Sequence, residues 1–228
     1  MPAPARHEEL RKRFAKAIPH PRCELDFETP WQLLVATILS AQSTDATVNR
    51  VTPRLFRRWP TAEKLGRARQ EAVEKVVEST GFFRNKAKAI RGASKKLADE
   101  HGGEVPRDMD AVCALPGVAR KTANVVLGTA YGIPTGIIVD THAGRVARRL
   151  GLSRAEDPIE VERDLCAVFP ERSWVDTGHR LVLHGRYVCK SRQPLCADCA
   201  LNEVCPSAAS APRGRWTERA RREAALVG

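Results

Sequence analysis

The sequence almost lacks the alternation of apolar and polar residues that marks β-strands. Its apolar residues recur instead at helical spacing along most of the 228 residues. No internal repeat of fixed period is present. We therefore expect an all-α protein.

Signals for secretion and for membrane insertion are also lacking. Met1–Arg13 contains two glutamates and no apolar core segment, which argues against a signal peptide. The weakly charged stretch 111–139 is interrupted by Arg120, Lys121 and Pro134, so it does not fit a membrane span. We expect a cytoplasmic protein.

Acidic residues are in the minority. The 38 lysines and arginines outnumber 27 aspartates and glutamates, which gives a formal charge of +11 and a pI of about 9.7. An excess of this kind is typical of proteins that bind nucleic acids. A hydrophobic content of 43% in 228 residues is enough for one large core or two small ones.

Capping and turn residues delimit the predicted helices. Thr29 and Pro30 form a helix start, and Trp31–Ala41 is apolar nearly all round, so this helix should be buried. A basic segment follows Ser207–Pro212 and is predicted as a short helix or a disordered tail. The other predicted helices are Asp45–Arg58, Arg69–Ser79, Asn85–Glu100, Asp108–Ala114, Ala119–Tyr131, Asp140–Leu150, Pro158–Val168 and Ser173–Tyr187.

Four of the seven cysteines lie close together near the end of the chain, at Cys189, Cys196, Cys199 and Cys205. Their spacing predicts one site with four thiolate ligands, which suits a structural zinc ion or an iron–sulfur cluster. Zinc sites more often contain two C-x2-C pairs, so the single pair here favours the cluster. Disulfides are the alternative, but the missing secretory signal argues against them.

A tight turn joins two short helices within Leu115–Asn124. The first turn of the second helix presents unpaired backbone N–H groups and the positive end of the helix dipole, which together suit a DNA phosphate. We assign DNA contacts here to Leu115, Gly117, Ala119 and Arg120. The alternative is an ordinary helical hairpin in which Pro-Gly only makes the turn.

Lys121 follows this turn in a stretch, 111–139, that contains no acidic residue. The helix dipole, the neighbouring Arg120 and burial among apolar residues should all favour its neutral amine, which makes it a candidate nucleophile. The alternative is a solvated lysine that contacts phosphate. Asp140, where an apolar run ends and a helix begins, is the candidate carboxylate, with a helix N-cap as its simpler role.

The motifs Leu115–Asn124, Val139–His142 and Leu39–Gln42, together with the cysteine spacing, resemble bacterial endonuclease III. This family consists of bifunctional DNA glycosylases and AP lyases of the helix-hairpin-helix superfamily, and the resemblance covers about Glu9–Cys205. It implies that Lys121 forms the Schiff base, that Asp140 is the catalytic aspartate and that the four cysteines hold a [4Fe-4S] cluster.

The resemblance also implies a two-domain α fold with the lesion pocket between the domains. Residues 23–133 would form a six-helix barrel domain that contains the hairpin, and residues 1–22 with 134–206 an iron–sulfur cluster domain. Residues 207–228 would be a basic tail that the family core does not need.

An enzyme that acts on a base must flip the nucleotide and fill the gap that it leaves. Gln42 matches the family's gap-filling residue, and Phe82 is our candidate for an apolar wedge, with core packing as its alternative. Lys190 near the cysteines is a candidate phosphate contact. Two departures from the family are Ala119, where a second glycine is usual, and the aromatic residue at position 82.

The resemblance implies that the partner is double-stranded DNA and that the substrates are oxidised pyrimidines. We expect a monomer associated with the nucleoid. An adenine glycosylase of the same superfamily uses a glutamate in the helix before Gln42, and no acidic residue lies between Trp31 and Gln42. A pyrimidine-dimer glycosylase/lyase and a non-catalytic iron–sulfur protein that binds DNA remain as alternatives.

Overall fold

A computed structural model of the chain describes residues 3–208 and 215–227. Within these ranges the structure is helical and has no strand, which confirms the all-α prediction. The helices are α1 (Ala3–Ala17), α2 (Pro30–Leu39), α3 (Asp45–Arg58), α4 (Ala62–Gly66), α5 (Gln70–Val77), α6 (Phe83–Glu100), α7 (Met109–Cys113), α8 (Arg120–Tyr131), α9 (Thr141–Arg149), α10 (Pro158–Val168), α11 (Trp174–Tyr187) and α12 (Trp216–Val227).

The chain divides into two compact units. Cys23–Thr135 is called the hairpin unit here, and Met1–Arg22 with Gly136–Gly228 is called the cysteine unit. None of the helices in the described ranges is long and apolar enough to span a membrane.

The hairpin unit is built around α2. The Thr29 hydroxyl accepts a hydrogen bond from the N–H of Gln32, and Pro30 fixes the backbone at the first helical position. Every residue from Leu33 to Leu39 is buried, as the run of apolar residues predicts. Helices α3, α6 and α8 pack against α2. Its central position sets the places of the loops at either end.

The cysteine unit has its core between α1, α9, α10 and α11. Leu10 and Phe14 of α1 pack with Val146, Leu165 and Leu181. Helix α1 was not predicted from the sequence. Many of its residues are charged, and its few apolar residues do not form a clear helical pattern without the helices that they pack against. Helix α12 packs on α1 and α11, so the helical alternative for the basic tail is right for Trp216–Val227. Residues 209–214 of the linker lie outside the described residues.

Candidate functional site

The predicted hairpin consists of α7, a turn over residues 114–119, and α8. Leu115 and Val118 anchor the turn in the core, and the N–H of Val118 donates to the carbonyl of Leu115 at 3.1 Å. Lys96 of α6 donates to the carbonyl of Ala114 at 3.2 Å and so satisfies the end of α7. The turn is therefore held from below while its outer side stays exposed.

Gly117 allows the turn to pack closely against α6. Its φ of +77° is in the left-handed region, where side chains are strained. A Cβ placed here would lie 2.6 Å from the Cβ of Ala89 in α6 and 3.8 Å from Ile38 in α2. Glycine is thus required twice over, for its conformation and for the close approach of α6.

The start of α8 has no polar cap from its own N-cap residue. Helices α2, α3, α4, α7, α9 and α10 begin after a Thr or Asp whose side chain accepts a backbone N–H. Helix α8 begins after Ala119, whose methyl group cannot accept a hydrogen bond. The start of α8 thus lacks a side-chain cap, as do those of α5, α6 and α11, and a helix start of this kind can take an anion in place of the cap.

Ala119 stands where the family usually has a second glycine, so its backbone conformation decides whether alanine fits there. Its backbone is extended, with φ of −101° and ψ of 167°, and is not helical. Any L-residue adopts this conformation without strain, so the alanine is compatible with the hairpin.

Lys121 is exposed in the first turn of α8. The expectation that apolar neighbours bury it is therefore wrong. Its apolar neighbours in sequence, such as Ala123 and Val126, point into the core on the other side of the helix. Arg120 is exposed beside it, so two cationic side chains face outwards at the helix start.

Gln42 and Phe82 share an uncommon backbone conformation. Both have a positive φ, +53° at Gln42 and +46° at Phe82, although neither is glycine. Such strain persists only where the surrounding structure imposes it, and it is concentrated at functional sites. Gln42 follows the end of α2 and Phe82 precedes α6, the two helices that contact the hairpin at Gly117. Both side chains are exposed, and 65% of Phe82 is accessible, which argues against core packing for this ring.

Lys86 holds the loop that carries Phe82, a role that the sequence did not predict. Its side chain is only 5% exposed, and its Nζ donates to the carbonyl of Thr80 at 2.6 Å. Gln70 Nε2 donates to the carbonyl of Arg84 at 3.2 Å on the other side of the loop. The Phe82 backbone is thus fixed from both sides. No local pattern signals such a contact, because a lysine in a basic segment looks like any solvated lysine.

Asp140 is the N-cap of α9 in the cysteine unit. Its Oδ1 accepts the N–H groups of His142 and Ala143, both at 2.8 Å, which confirms the capping role. Both bonds use the same carboxylate oxygen, Oδ1. The side chain is half-buried.

Helix α9 also reaches the cysteine loop. Arg145 donates to the carbonyls of Gly185 at 2.7 Å and Cys189 at 3.1 Å. Arg149 donates to the carbonyl of Lys190 at 2.7 Å and lies 3.4 Å from Cys189 Sγ. The same helix therefore carries the candidate carboxylate at its start and holds the first cysteine near its end.

The four predicted ligands line one cavity of about 210 Å³, with Leu150, His184 and Val188 among its walls. In the described part of the chain, the donor groups that converge within 4.8 Å are His184, Cys199 and Glu223, and no three of the cysteines do so. Four thiolates on one zinc ion would lie about 3.8 Å apart, from a Zn–S bond of about 2.3 Å. The wider spacing and the cavity fit a larger group such as an iron–sulfur cluster.

The thiols differ in their electrostatic surroundings. Burial raises the pKa of Cys189, but hydrogen bonds and positive charge from His184 and Arg149 outweigh it, so the net pKa is lowered and the thiolate is favoured. Burial raises the pKa of Cys196 and Cys205. A coordinated metal would deprotonate these thiols directly. Lys190, next to the first cysteine, is exposed.

Comparison with known proteins gives consistent matches. The family described as HhH-GPD superfamily base excision DNA repair protein matches residues 35–171. Endonuclease III of Synechocystis sp. is 52% identical over 89% of this chain and 93% of its own length, and endonuclease III of Bacillus subtilis is 48% identical over 85% and 88%. A solved structure of endonuclease III trapped as a covalent intermediate with DNA, in an estranged-adenine complex, has 43% identity and a TM-score of 0.83, covering 89% of this chain and 96% of that chain.

Proposed function

Because the chain belongs to the endonuclease III family within the HhH-GPD superfamily of base excision DNA repair proteins, we propose that it removes oxidised pyrimidines from double-stranded DNA and cleaves the resulting abasic site. It is a bifunctional DNA glycosylase and AP lyase, and DNA is its partner. The observation that carries the proposal is the hairpin, whose Gly117 turn places an uncapped helix start and the exposed Lys121 on the surface.

The hairpin binds DNA through its backbone. A phosphate takes the place of the missing N-cap side chain and accepts N–H groups from the first turn of α8, with Arg120 adding charge. Leu115 acts indirectly, because it anchors the turn in the core. Contacts of this kind carry no sequence information, which suits an enzyme that must scan all sequences for damage. Lys190 supplies a further phosphate contact from the cysteine unit.

Gln42 and Phe82 stabilise the flipped state. Phe82 enters the base stack as an apolar wedge, and Gln42 fills the gap with a polar side chain. The support is their shared left-handed backbone and their exposure at the ends of the two helices that contact the hairpin. Lys86 keeps Phe82 in place, so that the unstacked base is met by a preformed loop.

Lys121 is the nucleophile. Its neutral amine attacks C1′ of the flipped nucleotide, and the bond to the base breaks, with the base taking the electron pair. The attacking nitrogen then loses a proton, and the sugar ring opens as its oxygen gains one, which gives a protonated Schiff base between Nζ and C1′. Asp140 accepts the proton from nitrogen or stabilises the positive charge that develops on the sugar.

Strand cleavage follows from the Schiff base. Its positive charge acidifies the proton on C2′. When a general base removes this proton, the electrons left on C2′ expel the 3′ phosphate oxygen. The strand then breaks by β-elimination.

Cys189, Cys196, Cys199 and Cys205 hold a [4Fe-4S] cluster. When bound, the cluster would crosslink residues 189–205 of the loop between α11 and α12, a stretch whose one helical element is the 3-10 helix Asn202–Val204. Arg145 and Arg149 hold the start of this loop against α9, because they donate to the carbonyls of Cys189 and Lys190.

Borohydride trapping tests the function, because borohydride reduces a Schiff base to a stable bond between protein and DNA. The wild-type protein should form an adduct with duplexes that contain thymine glycol, dihydrouracil or an abasic site, and Lys121→Ala should form none. Lys64→Ala, an exposed lysine on α4 of the same unit, is the matched control and should trap normally. Undiminished trapping by Lys121→Ala would assign the reaction to another amine. Duplexes with a pyrimidine dimer or with adenine opposite 8-oxoguanine complete the panel, and preference for either would replace the proposed substrate.

A further inference from the structure

The C-terminal helix α12 buries two charged side chains. Arg219 is 2% exposed and Glu223 is fully buried, although the helix belongs to a segment that looks like a solvated basic tail in sequence. Buried charges are costly unless they are paired and hydrogen-bonded. The hydrogen-bond partners of Arg219 and Glu223 therefore indicate the role of α12.

Glu223 is bound to the cysteine site through both carboxylate oxygens. Oε1 lies 2.5 Å from His184 Nδ1, and Oε2 accepts the N–H of Ala200 at 3.0 Å. The other ring nitrogen of His184, Nε2, lies 3.9 Å from Cys199 Sγ. The Glu223 carboxylate thus orients the His184 ring, and the far side of this ring faces the sulfur of Cys199. Hydrogen-bonded groups of this kind commonly lie behind metal ligands and orient them.

Other residues of α12 hold the loop around Cys199. Arg219 Nε donates to the carbonyl of Cys199 at 3.0 Å, and its second nitrogen binds Glu203 at 2.8 Å. Arg222 binds Asp198 at 2.8 Å. These polar side-chain contacts of α12 fall on residues 198–203, which include the third cysteine and lead to the fourth, whereas its apolar side packs on α1 and α11.

We propose that α12 is part of the cluster site, with Glu223 as a positioning residue that acts through His184 on the Cys199 sulfur. Helix α12 lies beyond Cys205, the last residue of the segment whose motifs resemble the family. The inference rests on the cluster assignment under the proposed function. None of the residues assigned to the repair chemistry lies in α12.

Glu223→Gln is the sharpest variant. Glutamine keeps the size of the side chain but offers one acceptor and one NH₂ group, so it cannot accept hydrogen bonds from both His184 and Ala200. Glu218→Gln changes an exposed glutamate on the same helix and is the matched control. Three quantities are measured on the purified holoprotein: iron per chain, the rate of iron loss to a chelator under a mild oxidant, and the reduction potential of the cluster.

We expect Glu223→Gln to lose iron about tenfold faster than wild type and to show a shifted potential, because contacts to the ligand sulfurs set that potential. Glu218→Gln should match wild type in all three. A lower melting temperature of Glu223→Gln with unchanged iron loss and potential would reduce α12 to packing and overturn the proposal. Wild-type protein without iron would overturn the cluster assignment as well, and this result is distinct because it needs no variant.

A second route avoids folding defects. A protease site introduced within residues 209–214 allows α12 to be cut from the chain after the cluster has formed. After cleavage and removal of the α12 fragment, checked by mass, faster iron loss is expected, and an unchanged rate would contradict the role of α12.

Discussion

Phe82 combines a strained backbone with an exposed ring, and the two properties can be separated by two substitutions. Alanine removes the ring and keeps the left-handed strain, whereas glycine removes both. A left-handed conformation costs an L-residue about 1–2 kcal/mol, and the greater freedom of unfolded glycine offsets about 0.5–1 kcal/mol of the relief. Since both variants lose the same ring contacts, Phe82→Gly should be more stable than Phe82→Ala by about 0.5–1 kcal/mol.

Both variants should excise a damaged base more slowly. Unstacking a base costs a few kcal/mol. If the wedge offsets only about 1.4 kcal/mol of this cost, its loss slows excision about tenfold. We therefore expect at least about a tenfold loss in single-turnover excision of thymine glycol by either variant. Affinity for undamaged duplex should stay nearly unchanged, because an apolar ring neutralises no phosphate.

Urea unfolding measures the stability difference, and single-turnover kinetics measures excision. Phe83→Ala is the control, because Phe83 is half-buried against the core and should cost stability while leaving excision intact. Wild-type excision by Phe82→Ala would refute the wedge and make Phe83 the next candidate. If Phe82→Ala is more stable than Phe82→Gly, the reasoning from backbone strain is wrong.

The remaining predictions concern the other site residues. Asp140→Asn should lose most turnover but keep its melting temperature within a few degrees, because asparagine is also a good N-cap; a wild-type rate would leave Asp140 as a cap only. Lys86→Met should lower excision without loss of Schiff-base trapping at a preformed abasic site, and equal losses in both assays would contradict a role confined to the Phe82 loop. Ala119→Gly should stabilise the protein by about 0.5 kcal/mol in urea, because glycine caps better than alanine. Binding to undamaged duplex should weaken with salt with a log–log slope of about −4 to −5, as expected for about five phosphate contacts, and a slope near zero would exclude the hairpin as a phosphate site.

Local signals in the sequence predicted a large part of the fold. The bounds of α3 and α10 match because Thr44 and the pair Asp157-Pro158 mark their starts. Helix α1 was missed because its apolar stripe is short, and α4 because its five residues depend on packing against α6. Helices of this kind are stabilised by tertiary packing, which a local pattern does not contain.

The candidate site shows the same limit. The hairpin, Asp140 and the cysteines are candidates because local motifs point to them, and their roles stay predictions. The contact of Glu223 with His184 joins residues 39 positions apart and the bond from Lys86 depends on a loop conformation, so neither leaves a local signal. The burial expected for Lys121 was wrong because apolar neighbours in sequence lie on the opposite side of a helix.

The close packing at Gly117, where a Cβ would lie 2.6 Å from the Cβ of Ala89, has an evolutionary consequence. A larger side chain at position 89 would meet the Gly117 turn and would have to push the hairpin away from α6. Selection for repair should therefore act on position 89 as strongly as on the hairpin itself. Among functional descendants of this gene, small residues at 89 and 117 should be inherited together, and a catalogue of DNA contacts alone would not explain why.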